Sequence, residues 1–142
     1  MNNLDLLKKL CNTNGISGDE KSVRDIIVDE IKDYVTEYRI DNLGNIIAFK
    51  KGKHKSVNKL MISAHMDEVG FIVTDITSDG LIKFNEVGGI DRRVIPGRRV
   101  IIGKNIFGAV SVKPIHICDS AERKKIPSYS SMYIDIGADS KE

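Results

Sequence analysis

The stretch "KLMISAHMDEVGF", residues 59–71, marks the point where the character of the chain changes. Its first six residues form a short, almost entirely apolar run, which predicts a central β-strand buried on both faces. The residues that follow place His65 two positions before Asp67. Upstream, helix and strand patterns occur together, whereas downstream only short strands recur. We therefore expect an α/β segment over residues 1–67 and an all-β segment over residues 68–142.

The upstream segment is predicted to contain two helices and a hairpin. Apolar residues at helical spacing predict a short helix from about Leu4 to Asn12. A second helix is predicted at "SGDE", where Ser17 would accept a hydrogen bond from the Glu20 amide and Glu20 would accept one from Ser17, a capping box. "VTEYRID" and "NIIAFKK", joined by the turn "NLGN", predict a β-hairpin. The apolar stripe of the second helix comprises Val23, Ile26, Ile27, Ile31 and Tyr34.

The downstream segment is predicted to be a small antiparallel barrel or sandwich, because turn signals recur roughly every ten residues. The predicted strands are "VGFIVTDI", "LIKFNEVGG", "RRVIIG", "IFGAVSVK" and "MYIDIG". One helical turn, "DSAERKK", interrupts them, with Asp119 as its cap and Glu122 three positions later.

The predicted upstream strand "KLMISA" has almost no partner strands. Because an apolar strand without partners is an aggregation hazard, we expect the chain to be the front portion of a longer protein, or to be completed by another chain.

Composition and charge indicate an ordinary globular protein. The chain has 142 residues, of which 41% are apolar and 30% charged, with a formal net charge of +2. Basic and acidic residues are interspersed, so we expect no nucleic-acid partner, and no apolar run approaches the ~18 residues of a membrane span. Cys11 and Cys118 are far apart and outside any C-x-x-C motif, which favours free thiols in a reducing cytoplasm.

His65 and Asp67 form the candidate functional pair. Side chains at positions i and i+2 of an extended segment share a face, and α/β sheets place ligand sites at strand ends. A metal-binding imidazole usually donates its second N–H to a carboxylate. The pair therefore fits part of a metal site, with His65 as ligand and Asp67 as its orienting group or as a second ligand. A purely hydrogen-bonded structural role is the alternative, because H-x-D patterns also arise by chance.

The remaining histidines do not complete such a site. His54 lies in the basic stretch "KKGKHKSVNK", which is typical of a solvated loop, and His116 is expected to have a core or hydrogen-bonding role. Zinc takes about three or four protein ligands, and the sequence offers one histidine with one carboxylate. Neither a nucleophile motif nor a phosphate-binding loop is found.

Several motifs in order resemble one family. "SAHMDEVGFIVTDI", "NEVGGIDRRVIPGRRVII", "SVKPIHICDSAERKK" and "YIDIGADSKE" are similar to the dinuclear-metal aminopeptidases of the glutamyl and deblocking type, and the resemblance covers essentially the whole chain. Members form tetrahedral dodecamers and often carry the name endoglucanase or cellulase M. The resemblance implies the first part of a zinc-peptidase α/β domain over residues 1–67. It also implies most of an inserted antiparallel β-barrel domain, used for dimerisation, over residues 68–142.

By the same resemblance, His65 matches the first metal ligand, and Asp67 matches the aspartate that buttresses it and is counted as catalytic. The implied activity is removal of N-terminal residues from peptides by a cytoplasmic homo-oligomer, from dimer to dodecamer, that uses two divalent ions, zinc or cobalt. The family's other ligands and its general base lie beyond these residues. We therefore expect this chain alone to bind metal weakly or not at all and to be inactive.

Two other functions compete with this interpretation. The first is a non-catalytic, β-rich oligomerisation or binding module. The second is an endo-1,4-β-glucanase, which is disfavoured because glycoside hydrolysis needs two facing carboxylates and the sequence nominates no such pair.

Overall fold

The computed structural model describes residues 2–54 and 57–142. The chain forms two compact units: the first ends at Glu68, and the second runs from Val69 to Glu142. Their identity as a peptidase segment and an inserted domain stays a prediction. Among the described residues, no helix has both the length and the apolarity needed to cross a membrane.

The two predicted helices of the first unit are present. Helix α1 spans Asn3–Cys11, and the Asn2 side chain caps it by accepting a hydrogen bond from the Asp5 amide at 2.8 Å. Helix α2 spans Lys21–Ile31 and buries Val23. The predicted apolar stripe extends too far, because Tyr34 lies beyond the end of α2 and is exposed.

The predicted capping box at the start of α2 is wrong. The cap position is Glu20, whose side chain makes no capping bond to α2 and instead accepts from the Gly18 amide at 2.6 Å. The Ser17 hydroxyl donates to the Asp67 carboxylate. A hydrogen bond to a charged oxygen is roughly twice as strong as one between neutral groups, so this contact outcompetes a helix cap.

The predicted hairpin is confirmed. Strands β1, Glu37–Ile40, and β2, Ile46–Phe49, pair antiparallel. In the turn between them, Asp41 Oδ1 accepts from the amides of Leu43 at 3.0 Å and Asn45 at 2.9 Å. This short polar side chain replaces backbone partners that the turn leaves open.

The predicted buried strand "KLMISA" is wrong. Residues 59–64 form no strand, and the side chains of Leu60, Met61 and Ile62 are 87%, 88% and 86% exposed. A strand is buried only if neighbouring strands and helices cover it, and in the described part of the first unit β1 and β2 pair with each other. Near this run, Ile16 and Glu68 form an isolated parallel β-bridge.

The second unit is a five-stranded antiparallel sheet that curls into a half-barrel. Its strands are β3, Gly70–Ile76; β4, Ile82–Val87; β5, Arg99–Ile102; β6, Ile106–Val112; and β7, Met132–Asp135. Their order is β3-β4-β7-β6-β5, so β3 and β5 are the edges of the described sheet. All the predicted strands are confirmed, in an open sheet and not a closed barrel.

The hydrophobic core of this unit lies on one face of the sheet, where alternate residues point inward. The Phe71 and Phe84 rings meet edge to face with centroids 4.8 Å apart. Burying a large apolar side chain stabilises a fold by about 1.5–3 kcal/mol. The buried core residues are Ile82, Phe84, Ile95, Val110, Met132 and Ile134.

Edge strand β3 contains a bulge. Its register with β4 shifts between Val73 and Asp75, so one residue lacks a direct partner. The Asp75 carboxylate lies 3.5 Å from the ammonium groups of Lys83 and Lys141.

The predicted helical turn after β6 is confirmed as a short 3-10 helix, Glu122–Lys124. Asp119 Oδ1 accepts from the amides of Ala121 at 2.8 Å and Glu122 at 2.7 Å. Glu122 Oε2 accepts in return from the Asp119 amide at 2.9 Å. The predicted role of the Asp119 side chain is therefore confirmed, and Glu122 adds a return hydrogen bond to the Asp119 amide.

Candidate functional site

His65 and Asp67 are in direct contact in the first unit. His65 Nδ1 lies 3.1 Å from Asp67 Oδ1 and 3.0 Å from the Asp67 carbonyl oxygen. Both neighbours are acceptors, so in the neutral imidazole the proton belongs on Nδ1 and the lone pair on Nε2. The His65 side chain is 85% exposed and that of Asp67 is 40% exposed. The imidazole is therefore oriented and also accessible.

Ser17 holds the other oxygen of the same carboxylate. Its hydroxyl donates to Asp67 Oδ2 at 2.5 Å, while Oδ1 faces His65. The Ser17 hydrogen bond is the largest cause that lowers the pKa of Asp67 below its ordinary value, and His65 contributes less. Asp67 is thus an anion at neutral pH, with a separate partner on each oxygen.

Backbone hydrogen bonds place Ser17 beside Asp67. The Glu68 amide donates to the Gly15 carbonyl at 2.8 Å, and the Ser17 amide donates to the Glu68 carbonyl at 3.4 Å. The Gly15 amide also donates to Glu68 Oε1 at 3.3 Å. Gly15 is buried against α2, where an added Cβ would lie 2.6 Å from Val23 Cγ2. Glycine is needed here because the backbone approaches the helix closely.

A small cavity of about 140 Å³ lies next to the pair. A water molecule takes up about 30 Å³ of liquid volume, so the cavity has room for a few waters or a hydrated ion. The residues that line it come from the start of α2, the hairpin turn and the extended segment: Glu20, Leu43, Gly44, Asn45, Ala64, His65, Met66 and Asp67.

The donor set in the described part of the chain is incomplete for a metal ion. Over residues 2–54 and 57–142, no three His, Cys, Asp or Glu side chains are grouped closely enough to hold one. His65 with its orienting carboxylate fits one ligand position of a site that takes about four.

The other predicted candidates lie elsewhere. His54 is exposed, in agreement with the predicted solvated loop. Of the two roles expected for His116, the core role is wrong, because its single-turn 3-10 helix, Ile115–Ile117, leaves all three side chains exposed. The hydrogen-bonding role stays a prediction. Cys11 and Cys118 are free thiols, as predicted.

Sequence reasoning missed the contact between Ser17 and Asp67. The two residues are 50 positions apart, and "SGDE" matches a capping box that explains Ser17 locally. Gly15, two residues earlier, was the available signal, since a glycine before a helix can mark a close backbone approach.

Comparison with known proteins identifies the family. The sequence pattern of the M42 glutamyl aminopeptidases matches residues 44–142, a span that includes His65 and Asp67. The chain belongs to the M42 glutamyl aminopeptidase family. This confirms the resemblance seen in the sequence motifs.

Curated relatives of this M42 chain are much longer than it is. It is 45% identical over 138 residues to a protein of Acetivibrio thermocellus, a match that covers 97% of this chain and 39% of the relative. It is 36% identical over 145 residues to the lysyl aminopeptidase of Pyrococcus furiosus, covering 97% of this chain and 40% of that enzyme. The chain therefore spans about 40% of the length of these relatives.

Solved structures show the same fold. A TET aminopeptidase from the marine sediment archaeon Thaumarchaeota archaeon SCGC AB-539-E09 matches with a TM-score of 0.88 and 37% identity, over 96% of this chain and 39% of that one. A Thermotoga maritima protein titled endoglucanase matches with a TM-score of 0.80 and 42% identity, over 94% and 39%. The TET1 peptidase of Pyrococcus horikoshii, which can assemble into a tetrahedron or a large octahedral shell, matches at 0.79 and 37%, over 97% and 41%.

Proposed function

We propose that this chain is the front part of a metal-dependent aminopeptidase and that His65 is its first metal ligand. The observation that carries the proposal is that Asp67 engages His65 Nδ1, which leaves the lone pair of Nε2 available to bind a cation. Family membership and the aminopeptidase names of the relatives support the reaction class, which is removal of N-terminal residues from peptides. The specific ions, zinc or cobalt in a pair, belong to the proposal.

The chemistry of the donor pair favours separate roles for its two members. A neutral imidazole whose second nitrogen donates to a carboxylate is the common form of a histidine metal ligand. Each oxygen of Asp67 has a side-chain partner, and Oδ1 faces His65 Nδ1, which favours Asp67 as the group that orients His65 over Asp67 as a ligand. A bound divalent ion would supply a water activated for attack and polarise the peptide carbonyl.

The organisation of the complete enzyme is part of the same proposal. Residues 1–67 would form the first part of the peptidase domain, and residues 68–142 would form most of an inserted barrel domain. The division of the chain into units at residue 68 supports this assignment. The remaining ligands and the general base would come from residues outside this chain, which agrees with the greater length of the relatives.

Two further features are consistent with this proposed organisation. The exposed apolar run Leu60, Met61 and Ile62 has the composition of a surface that another part of a domain covers. The assemblies of the Pyrococcus horikoshii peptidase support a homo-oligomer as the working form. Peptide substrates and a cytoplasmic location complete the proposal.

A zinc titration of the 142-residue chain, followed by the ¹⁵N signals of its histidine rings, tests the ligand assignment. We expect zinc to bind weakly and to shift His65 Nε2, since one ligand is available. His65→Ala should abolish the response, and His116→Ala, which removes an exposed histidine of the second unit, should not. Tight binding of two ions per chain by calorimetry would contradict the incomplete site.

In the complete enzyme, His65→Ala should lower the release of a chromogenic N-terminal amino acid by at least about 100-fold, because a direct ligand is lost. Near-normal turnover of that variant would overturn the assignment. In the same assay, a chelator should stop turnover of the unchanged enzyme.

A further inference from the structure

We propose that Ser17 is a positioning residue of this site: its hydroxyl holds the Asp67 carboxylate so that Asp67 holds the His65 imidazole. The proposal rests on the proposed function, because it assigns Ser17 a role toward the metal ligand. It extends that function to a loop far away in the sequence, between α1 and α2.

The first argument is the division of the carboxylate between two partners. An aspartate carboxylate rotates easily about its last side-chain bond, because that torsion has a broad energy minimum. The contact of Oδ1 with His65 Nδ1 is 3.1 Å, whereas that of Oδ2 with the Ser17 hydroxyl is 2.5 Å. The shorter, charge-assisted bond fixes the plane of the carboxylate. Oδ1 is then kept facing the imidazole.

The second argument is that the backbone fixes Ser17 independently of its side chain. Residues 15–17 are bonded to Glu68, the residue directly after Asp67, through the Gly15 carbonyl and the Ser17 amide. The Ser17 hydroxyl and the Asp67 carboxylate therefore lie on two chain segments that backbone hydrogen bonds already hold together.

The third argument is that no helix cap uses the hydroxyl. Helix α2 begins at Lys21 with Glu20 at the cap position, three residues after Ser17. The Ser17 hydroxyl donates to Asp67, so its removal acts on the site and not on helix α2.

Removal of the hydroxyl should change the tautomer of His65. Without Ser17 as donor, the Asp67 carboxylate turns toward water, and of the two acceptors at Nδ1 the Asp67 carbonyl oxygen remains, at 3.0 Å. Selection of the Nδ1–H form is then weaker. The Nε2–H form then gains population, and it has no lone pair at the nitrogen that would bind metal. Loss of an outer-shell partner typically weakens metal binding 10–100-fold, and we expect about 10-fold for Ser17→Ala.

The experiment uses the 142-residue chain with ¹⁵N-labelled histidine at about pH 8, where an ordinary imidazole is neutral. Long-range ¹H–¹⁵N spectra give the tautomer ratio of His65, and zinc titration gives its relative affinity. Ser17→Ala should raise the Nε2–H fraction and weaken zinc binding. Ser17→Thr, which keeps a hydroxyl, should restore both values, and Ser22→Ala, a matched exposed serine on α2, should change neither.

Two further variants separate positioning from folding. Ser17→Cys keeps the shape of the side chain with a weaker donor, so its His65 tautomer ratio without zinc should match that of Ser17→Ala. This comparison is made without zinc, because a thiol is itself a zinc ligand. In an Asp67→Asn background, Ser17→Ala should have no further effect on His65. An additional effect there would show that Ser17 does not act through Asp67.

An unchanged His65 tautomer ratio in Ser17→Ala would overturn the positioning role, and so would failure of Ser17→Thr to restore it. Failure of the proposed function looks different: zinc would then leave His65 of the unaltered chain unshifted, while the tautomer comparison would still decide the role of Ser17.

Discussion

The two units of this chain differ in where the core lies and where the chemistry lies. The second unit has a hydrophobic core on one face of its sheet, yet it holds none of the candidate site residues. The described part of the first unit buries one hydrophobic side chain, Val23, and carries the Ser17, Asp67 and His65 cluster. The candidate site therefore lies in the unit with the smaller core, as functional segments often do.

Strand pairing explains the contrast. In the second unit, β3 pairs with β4 and β5 with β6 across short turns, and β7 joins the two hairpins. Every strand of the half-barrel thus finds partners within the unit. In the first unit β1 and β2 pair with each other, and the apolar run from Leu60 to Ile62 is left exposed.

Amide hydrogen exchange should show the largest difference between the units. We expect the amides of β6 to exchange at least about 1000-fold more slowly than those of residues 60–62, because β6 is paired on both sides and the run is in no strand. Exchange measured residue by residue by NMR tests this. Stronger protection at residues 60–62 than in β6 would reverse the comparison.

Core truncation should also separate the units. Phe84→Ala removes a ring that packs on Phe71 and Tyr129, with ring centroids 4.8 and 6.0 Å away, and should cost about 3–5 kcal/mol. Val23→Ala in the first unit should cost about 1–2 kcal/mol, because a smaller buried surface is lost. Urea unfolding followed by signals of each unit measures both. Equal losses would show that the first unit is as well packed as the second.

A matched control is available on the exposed surface. Val57→Ala removes the same atoms as Val23→Ala from a fully exposed side chain, and it should change the free energy of unfolding by less than about 0.5 kcal/mol.

Tyr129 provides the smallest and most specific test. Burial, with the hydrogen bond to Glu86 second, raises the pKa of Tyr129 from 10.0 to about 12. The folded state therefore favours the neutral phenol, whose contribution is complete below pH 10 and is lost as the pH rises toward about 12. Tyr129→Phe should cost about 1 kcal/mol near neutral pH, and the cost should shrink above pH 10.

Urea unfolding at neutral and alkaline pH measures that cost, and absorbance titration identifies the phenol. The unaltered chain should show a last ionisation step near pH 12 that is absent from Tyr129→Phe. A difference in stability that stays constant across this range would mean that folding does not raise the pKa of Tyr129.

Local patterns in the sequence predicted most of the elements. Helix α1 was placed within one residue at each end, and all the strands of the half-barrel were found, because periodicity and turns depend on neighbours in sequence. The prediction that "KLMISA" is buried was wrong, because burial depends on which strands lie beside a segment, and local patterns do not show that. The apolar composition was correct for a strand, but the described residues provide no partner strand.

The two predicted caps show the same limit at the scale of single residues. Asp119 and Glu122 satisfy each other within one turn, so the local pattern was sufficient. Ser17 and Glu20 have the same spacing, but a carboxylate 50 residues away competes for the Ser17 hydroxyl. The contact of His65 with Asp67 followed from their i, i+2 spacing, whereas the contribution of Ser17 required the tertiary structure.

The register shift in β3 bears on edge-to-edge pairing between molecules. A regular outer strand presents a row of free backbone groups to which a strand of another molecule can add. On β3 the bulge between Val73 and Asp75 breaks that row, and the charges of Asp75, Lys83 and Lys141 surround the break. A substitution that straightened the bulge would convert a protected edge into a template for fibre growth.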